Sequence, residues 1–457
     1  MPVDTTHPLY DDMLPQWRLN DDACRGSNAV KRATTQYLPV PNPEQNTVRS
    51  ERYISYLKRA VYTNFTGRTI SGLTGAVFRL DPRVDLPPQI EYLLDDADNN
   101  RLALSTVAQR AVGEVLRAGR YVCLAEFPES PEGSTAEDTA GLKAYIATYR
   151  AEDLLNWHET NGMLDLAVLH EVVEEPSDDG FEYELVDHYR VLRLRDGVAT
   201  MQVYRENVAL ADEREIKGFG GEPFDEIPLM VIGSSDNNLS PDMPPISDIA
   251  ALNIAHYRNS AEYEDGVFMT GQPMLHIDAG ETSADQFVEA NGKIVVGSRE
   301  AVVTHGGGSV NLVQAQANSA AMEAMTHKET LLVRLGAQLV ADAKGNETAE
   351  AARIRSGAET SVLNTVVNNT SDAFTMVLKW CARFMGGNED GVSFDLNRQY
   401  FSQEADPQLI AQLILGIDRG AWTVGVVQDY ARRAGIIDPE KTNEDLDEEV
   451  SQSSPLV

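Results

Sequence analysis

The sequence predicts an α+β protein in which a β-rich block lies between helical segments. Three observations carry this. Residues 1–118 show helical apolar spacing, residues 121–235 are short β-branched and aromatic runs cut by acidic, Gly and Pro segments, and helical texture resumes at Ile246.

In the first block, "NTVRSERYISYLKRAVYTNF" puts Tyr53, Leu57 and Val61 four residues apart on one helical face. "LSTVAQRAVGEVLRAGR" repeats that spacing through Val107, Ala111, Val115 and Leu116. From Tyr121, "YVCLAEF", "KAYIATY", "LDLAVLHEVV", "EYELVDHYRVLRL" and "ATMQVYRENV" read as antiparallel strands, and "EIPLMVIG" closes the block. "ISDIAALNIAHYRNSAEYEDG" (Ile246–Gly266) then reads as a helix that is apolar on several sides, with Pro245 before it and Gly266 as its expected stop. "GKIVVGSREAVVTHGGGSVNLV" reads as strands and turns. A helix over 319–340 places Met325, Leu332, Leu335 and Leu339 on one face. "DAKGNE" breaks it, and a second long helix is expected over 348–385, about 57 Å if unbroken, stopped by Gly386-Gly387. Two short helices meeting near Gly420 and a tail with seven acidic residues and one basic one, from Asp438 on, complete the chain.

At 457 residues the chain suggests several domains. The net charge is −33, with 71 acidic against 38 basic residues, which argues against a protein that grips duplex nucleic acid through a basic face. Three scattered cysteines (Cys24, Cys123, Cys381) make neither a disulfide framework nor a thiolate metal site and fit a reducing compartment. The start has no signal-peptide pattern, and no run of about 20 apolar residues would span a bilayer.

Catalytic motifs are weak throughout. "ANGKIVV" and "AKGNETA" lack phosphate-loop spacing and read as turns. "THGGGS" resembles an esterase oxyanion loop, but no G-x-S-x-G elbow accompanies it. None of the eight histidines pairs at metal-ligand spacing, and acidic pairs such as Asp95-Asp96 read as solvated surface. No catalytic residue, metal or cofactor is expected.

The order of parts, together with "NFTGRTISGLTGAVFRLDP", "LRAGRYVCLAEFP", "YRAEDLLNWH" and "EIPLMVIGSSDN" leading into "PPISDIAALNIAHYRNSAEYEDGVFMTGQPML", resembles the portal proteins of tailed bacteriophages. More narrowly it resembles a portal family long catalogued only as a domain of unknown function. The likeness covers most of the chain, to about Asp438, and lies in family-like phrases and their order.

The resemblance implies a portal fold and its parts. Residues 1–120 and 121–240 would be the helical and β-rich wing, 241–266 the first stem helix, 267–318 an α/β clip and 319–341 the second stem helix. A tunnel loop would be Asp342, Ala343, Lys344, Gly345, Asn346 and Glu347, with Lys344 its only basic residue. Then would follow a long wing helix (348–386), a strand or connector (387–400), and the crown with its acidic tail (401–457). A ring, typically a dodecamer, would pass double-stranded DNA. It would dock a terminase large subunit, a head-tail adaptor and a major capsid or scaffolding protein, without a membrane, in a virion assembled in host cytoplasm. A stem helix in a ring touches neighbours on several sides, so Ile246, Ile249, Ala250, Ile254, Tyr257, Arg258 and Ala261 are the expected subunit interface. Two other readings are another phage structural or head-tail adaptor protein, and a hydrolase using β-block carboxylates, recognisable by convergent, perturbed acids in a pocket.

Overall fold

The structure, a computed structural model, describes residues 2–128, 141–176, 180–271, 274–278, 309–313, 319–339, 361–398 and 423–433, with short scattered stretches elsewhere after 280. The helices are α1 Pro8–Arg25, α2 Ser27–Arg32, α3 Glu51–Arg59, α4 Phe65–Val77, α5 Leu104–Ala118, α6 Ser247–Thr270, α7 Ala320–Gln338, α8 Val362–Met385 and α9 Val424–Arg433. The strands are β1 Arg83–Asp85, β2 Arg120–Glu126, β3 Tyr145–Arg150, β4 Leu154–Thr160, β5 Met163–Pro176, β6 Tyr183–Arg195, β7 Val198–Arg205, β8 Val208–Ala209, β9 Arg214–Glu215, β10 Leu229–Gly233, β11 Met274–Asp278, β12 Ser309–Val313 and β13 Ser393–Asp395. Helix and sheet are thus mixed, as an α+β chain requires.

The chain divides into two compact units. One comprises Met1–Thr74 and Val84–Asp395; the other comprises Gly75–Arg83 and Leu396–Val457. In the smaller unit, Asn397 Nδ2 donates to the carbonyl of Val77 at 3.3 Å.

In the larger unit, β2 lies at the centre of an antiparallel sheet ordered β10-β2-β3. Tyr121–Ala125 are buried at every position, so both faces of the strand are covered, which is why it reads as a continuous apolar run. Helices α5 and α8 pack on this sheet. Helix α5 buries Val107, Ala111, Val115 and Leu116, the face expected from its spacing. It ends at Gly119, left-handed at φ 69°, where an added Cβ would stand 2.4 Å from the carbonyl oxygen of Asp242.

The second sheet is an antiparallel meander, β4-β5-β6-β7-β8, with β9 also on β7. Asn161-Gly162 (φ 54° and 79°) joins β4 to β5, and Asp196-Gly197 (φ 52° and 77°) joins β6 to β7. Both are two-residue turns with positive φ at each centre, the hairpin geometry that Asn-Gly and Asp-Gly favour.

Two helix boundaries differ from expectation. Helix α6 continues through Gly266 to Thr270, so Gly266 is not its stop; it is a helical residue with open space around its Cα. Helix α8 does not run unbroken from 348. Ser361 is extended (ψ 142°), and its side chain accepts the amide of Asn364 at 3.1 Å, an N-cap that starts the helix at Val362. Its end is the expected one, Gly386 at φ 69°.

Candidate oligomer and channel elements

Helix α6 packs against α1, α3 and α7 at once. This multiple packing is why its apolar residues are not confined to one stripe. Ile254, Tyr257 and Ala261 join a buried cluster with Val30, Leu38, Tyr53 and Tyr62, and Ile246, Ile249 and Ala250 are also buried. Six of the seven residues expected at a subunit interface therefore lie inside the chain's own core. Only Arg258 is exposed, and its Nε donates to the carbonyl of Tyr37 at 2.8 Å. In a helix enclosed by three others, an all-round apolar pattern records intrachain burial.

The polar residues between have their own partners. Asn253 is fully buried; its Oδ1 accepts the Tyr62 hydroxyl at 2.9 Å and the amides of Phe65 and Thr66 at 3.1 Å, and its Nδ2 donates to the carbonyl of Thr63 at 2.9 Å. One side chain thus satisfies the start of α4, whose first amides have no intrahelical partner. The Ser260 hydroxyl donates to the carbonyl of Val61 at 2.6 Å and accepts its amide at 3.1 Å. Towards α7, His256 Nε2 lies 3.1 Å from Glu329 Oε1, and Lys328 Nζ donates to Asn259 Oδ1 at 2.5 Å. Near the end of α6, Asp265 pairs with Arg52 and, at 2.7 Å, with Arg59. The Arg52 hydrogen bond, opposed by burial and helped by Arg59, holds the Asp265 carboxyl below its ordinary range.

Beyond α6 the chain forms the antiparallel pair β11–β12, Met274 opposite Val313, and returns as α7. Val267, Phe268 and Met269 are exposed before this excursion, with the Arg59 guanidinium 4.1 Å from the Phe268 ring. The candidate loop Asp342, Ala343, Lys344, Gly345, Asn346 and Glu347 lies outside the described residues.

The larger unit also holds an ionic cluster around the buried Arg117. Arg117 forks onto Glu152 with bonds of 2.7 and 2.8 Å and reaches Glu114 at 2.7 Å, while Arg150 bonds Asp21 at 2.6 Å. These carboxylates border or neighbour a cavity of about 540 Å³ lined by Arg110, Glu114, Arg117, Tyr121 and Arg150 among others. A second cavity, about 360 Å³, carries Glu126 and Glu215 beside Phe127, Leu192, Met201 and Phe384. Glu126 is paired with Arg190, and Glu215 with Lys217 at 3.1 Å. These acids are neutralised by cations, the arrangement of ion pairs and not of an acid-base couple. Among the described residues, no three His, Cys, Asp or Glu come together to hold a metal ion, and no helix is long and apolar enough to cross a membrane.

Residues 245–385 match a family described as Domain of unknown function (DUF4055). The match covers α6, the β11–β12 excursion, α7 and α8, and bears out the resemblance to a family catalogued in that way. No curated protein matches the chain. Similar solved structures include the virion of a native gene transfer agent (GTA) particle, with 13% identity, 86% of this chain and 94% of that one covered, and a TM-score of 0.40. They also include the neck of the empty GTA particle (12%, 83% and 92%, 0.39) and of the native GTA particle (14%, 82% and 91%, 0.38). These similarities are distant, and no residue role is carried over from them.

Proposed function

We propose that this chain is the subunit of a portal ring in a tailed-phage particle, a conduit for double-stranded DNA with no catalysis of its own. The observation that carries the reading is the excursion inside the family-matched segment: α6 and α7 pack side by side and are linked through the strand pair β11–β12. That is the helix, small β element, returning helix order of a stem bearing a clip. In this reading 1–240 is wing, 267–318 clip, 342–347 tunnel loop and 401–457 crown; terminase, adaptor and capsid or scaffolding protein dock on the ring.

Net charge fits the task. Duplex DNA carries about one charge per 1.7 Å of axis, and a basic wall would bind and stall it. A chain of net −33 favours passage over grip. Sedimentation velocity of the full chain, alone and with duplex DNA, tests this. A large oligomer that leaves the duplex free in physiological salt is expected; a monomer that binds duplex tightly would overturn it.

A further inference from the structure

The chain's charge is segregated, and its two extremes carry exposed apolar side chains. Residues 23–74 hold eight Lys and Arg against two acidic residues, inside a chain of net −33. Residues 151–189 hold twelve Asp and Glu and neither Lys nor Arg. Both stretches belong to the larger unit.

The basic stretch includes α3 and the segment before it. Arg52 and Arg59 are occupied by Asp265. Arg49 and Lys58 are exposed and have no carboxylate partner among the described residues. Beside them Val48, Ile54 and Val61 are 48%, 41% and 49% exposed, and Ile54 lies one helical turn before Lys58.

The acidic stretch includes the distal half of the β5–β6 hairpin. Val172 pairs across the ladder with Asp187, Glu174 with Leu185, and Pro176 with Tyr183. Side chains alternate along a strand, so these six share one face. Val172, Tyr183 and Leu185 are 54%, 62% and 66% exposed. The face is a chequerboard of apolar and acidic groups without Lys or Arg, and His170 Nε2 lies 2.7 Å from Asp187 Oδ1 at its inner end. Among the described residues no ion pair joins it to the basic stretch, so neither surface is neutralised by the other within one chain.

We propose that this hairpin face docks on the α3 face of a second copy of the chain, and that this contact links neighbours around the ring. The proposal rests on the ring reading above. Both surfaces offer apolar area to bury and their charges are complementary: acids on the hairpin, and Arg49 and Lys58 without a carboxylate partner on the α3 side, where Glu51 is an exposed acid. Because the two patches differ and sit on different elements, the contact is head-to-tail, the kind that propagates from copy to copy until a ring closes.

The test uses the full chain with exposed residues reversed in charge: Glu174→Lys with Asp187→Lys on the hairpin, Arg49→Glu with Lys58→Glu on the helix, and all four together. Thermal melts establish that each variant folds; mass photometry follows assembly against protein and salt concentration. Each single-surface reversal is expected to raise the concentration for half-assembly about tenfold or more, because like charges then face each other. The four-fold variant is expected to recover to within about threefold of wild type by restoring opposite charges. Normal assembly by the single-surface variants, or no recovery in the four-fold variant, overturns this contact and leaves the ring standing. A wild type that remains monomeric overturns both.

Discussion

Asn253 Oδ1 accepts the Tyr62 hydroxyl at 2.9 Å inside a fully buried site, and the same oxygen takes the Thr66 hydroxyl at 3.0 Å. Asn253→Leu keeps the size but leaves these donors and the amides of Phe65 and Thr66 unpaired. We expect a loss of about 2–4 kcal/mol, the cost of several buried unsatisfied groups, read in urea titrations. Tyr62→Phe removes one partner and should cost about 1 kcal/mol.

Two glycines should respond in opposite directions. Gly119→Ala forces a side chain into φ 69° and against the carbonyl of Asp242, 2.4 Å away. It should cost several kcal/mol, since strain and backbone displacement add. Gly266→Ala sits in open space within a helix and should gain about 0.5–1 kcal/mol. Paired thermal melts check both.

Stability should fall in acid. Burial alone would raise the Glu152 carboxyl, but the Arg117 hydrogen bond and charge hold it below its ordinary value; for Asp21 burial is outweighed by Arg150 and Arg117. A carboxyl depressed in the folded state binds fewer protons there than when unfolded. Its contribution is complete above its unfolded pKa, near 4, and disappears as the pH drops through the lower folded value. Arg117→Met should cost about 3–5 kcal/mol at neutral pH by stranding Glu152. It should also flatten the acid limb of stability against pH, which a purely steric loss would leave unchanged.

The thiols should be silent in the native protein. Burial pushes Cys24 and Cys381 up to about 12, and Cys123 up as well. A thiol reagent at mildly alkaline pH should label none of the three until denaturant is added, and then all three. Fast native labelling at Cys123 would contradict the closed β2 sheet.

Periodicity made much of the fold legible. The α5 face, the apolar β2 run and the Gly386 stop all follow from local rules that tertiary packing does not override. Strand β4, "LLNWHET", escapes because Asn156, His158 and Glu159 interrupt its apolar pattern, although the Asn161-Gly162 turn after it is a direct hairpin signal. Ser361 begins α8 by a local side-chain cap that an apolar-face pattern does not register. For α6 the apolar count was legible but its meaning was not. A sequence pattern tells that a helix is enclosed on several sides; only the fold names Tyr53, Tyr62 and α7 among the enclosing groups. Nor does a helical pattern reveal which polar residues anchor, and Asn253 and Asp265 needed their partners, nearly 190 or more residues away, to be recognised.

In the proposed portal, copies of this chain close into a ring around a passage wide enough for duplex DNA. Electron microscopy of the purified full chain measures this most directly. Closed rings with a central hole wide enough to admit duplex DNA are expected. Compact monomers or dimers at every concentration, or rings without an opening, would contradict it.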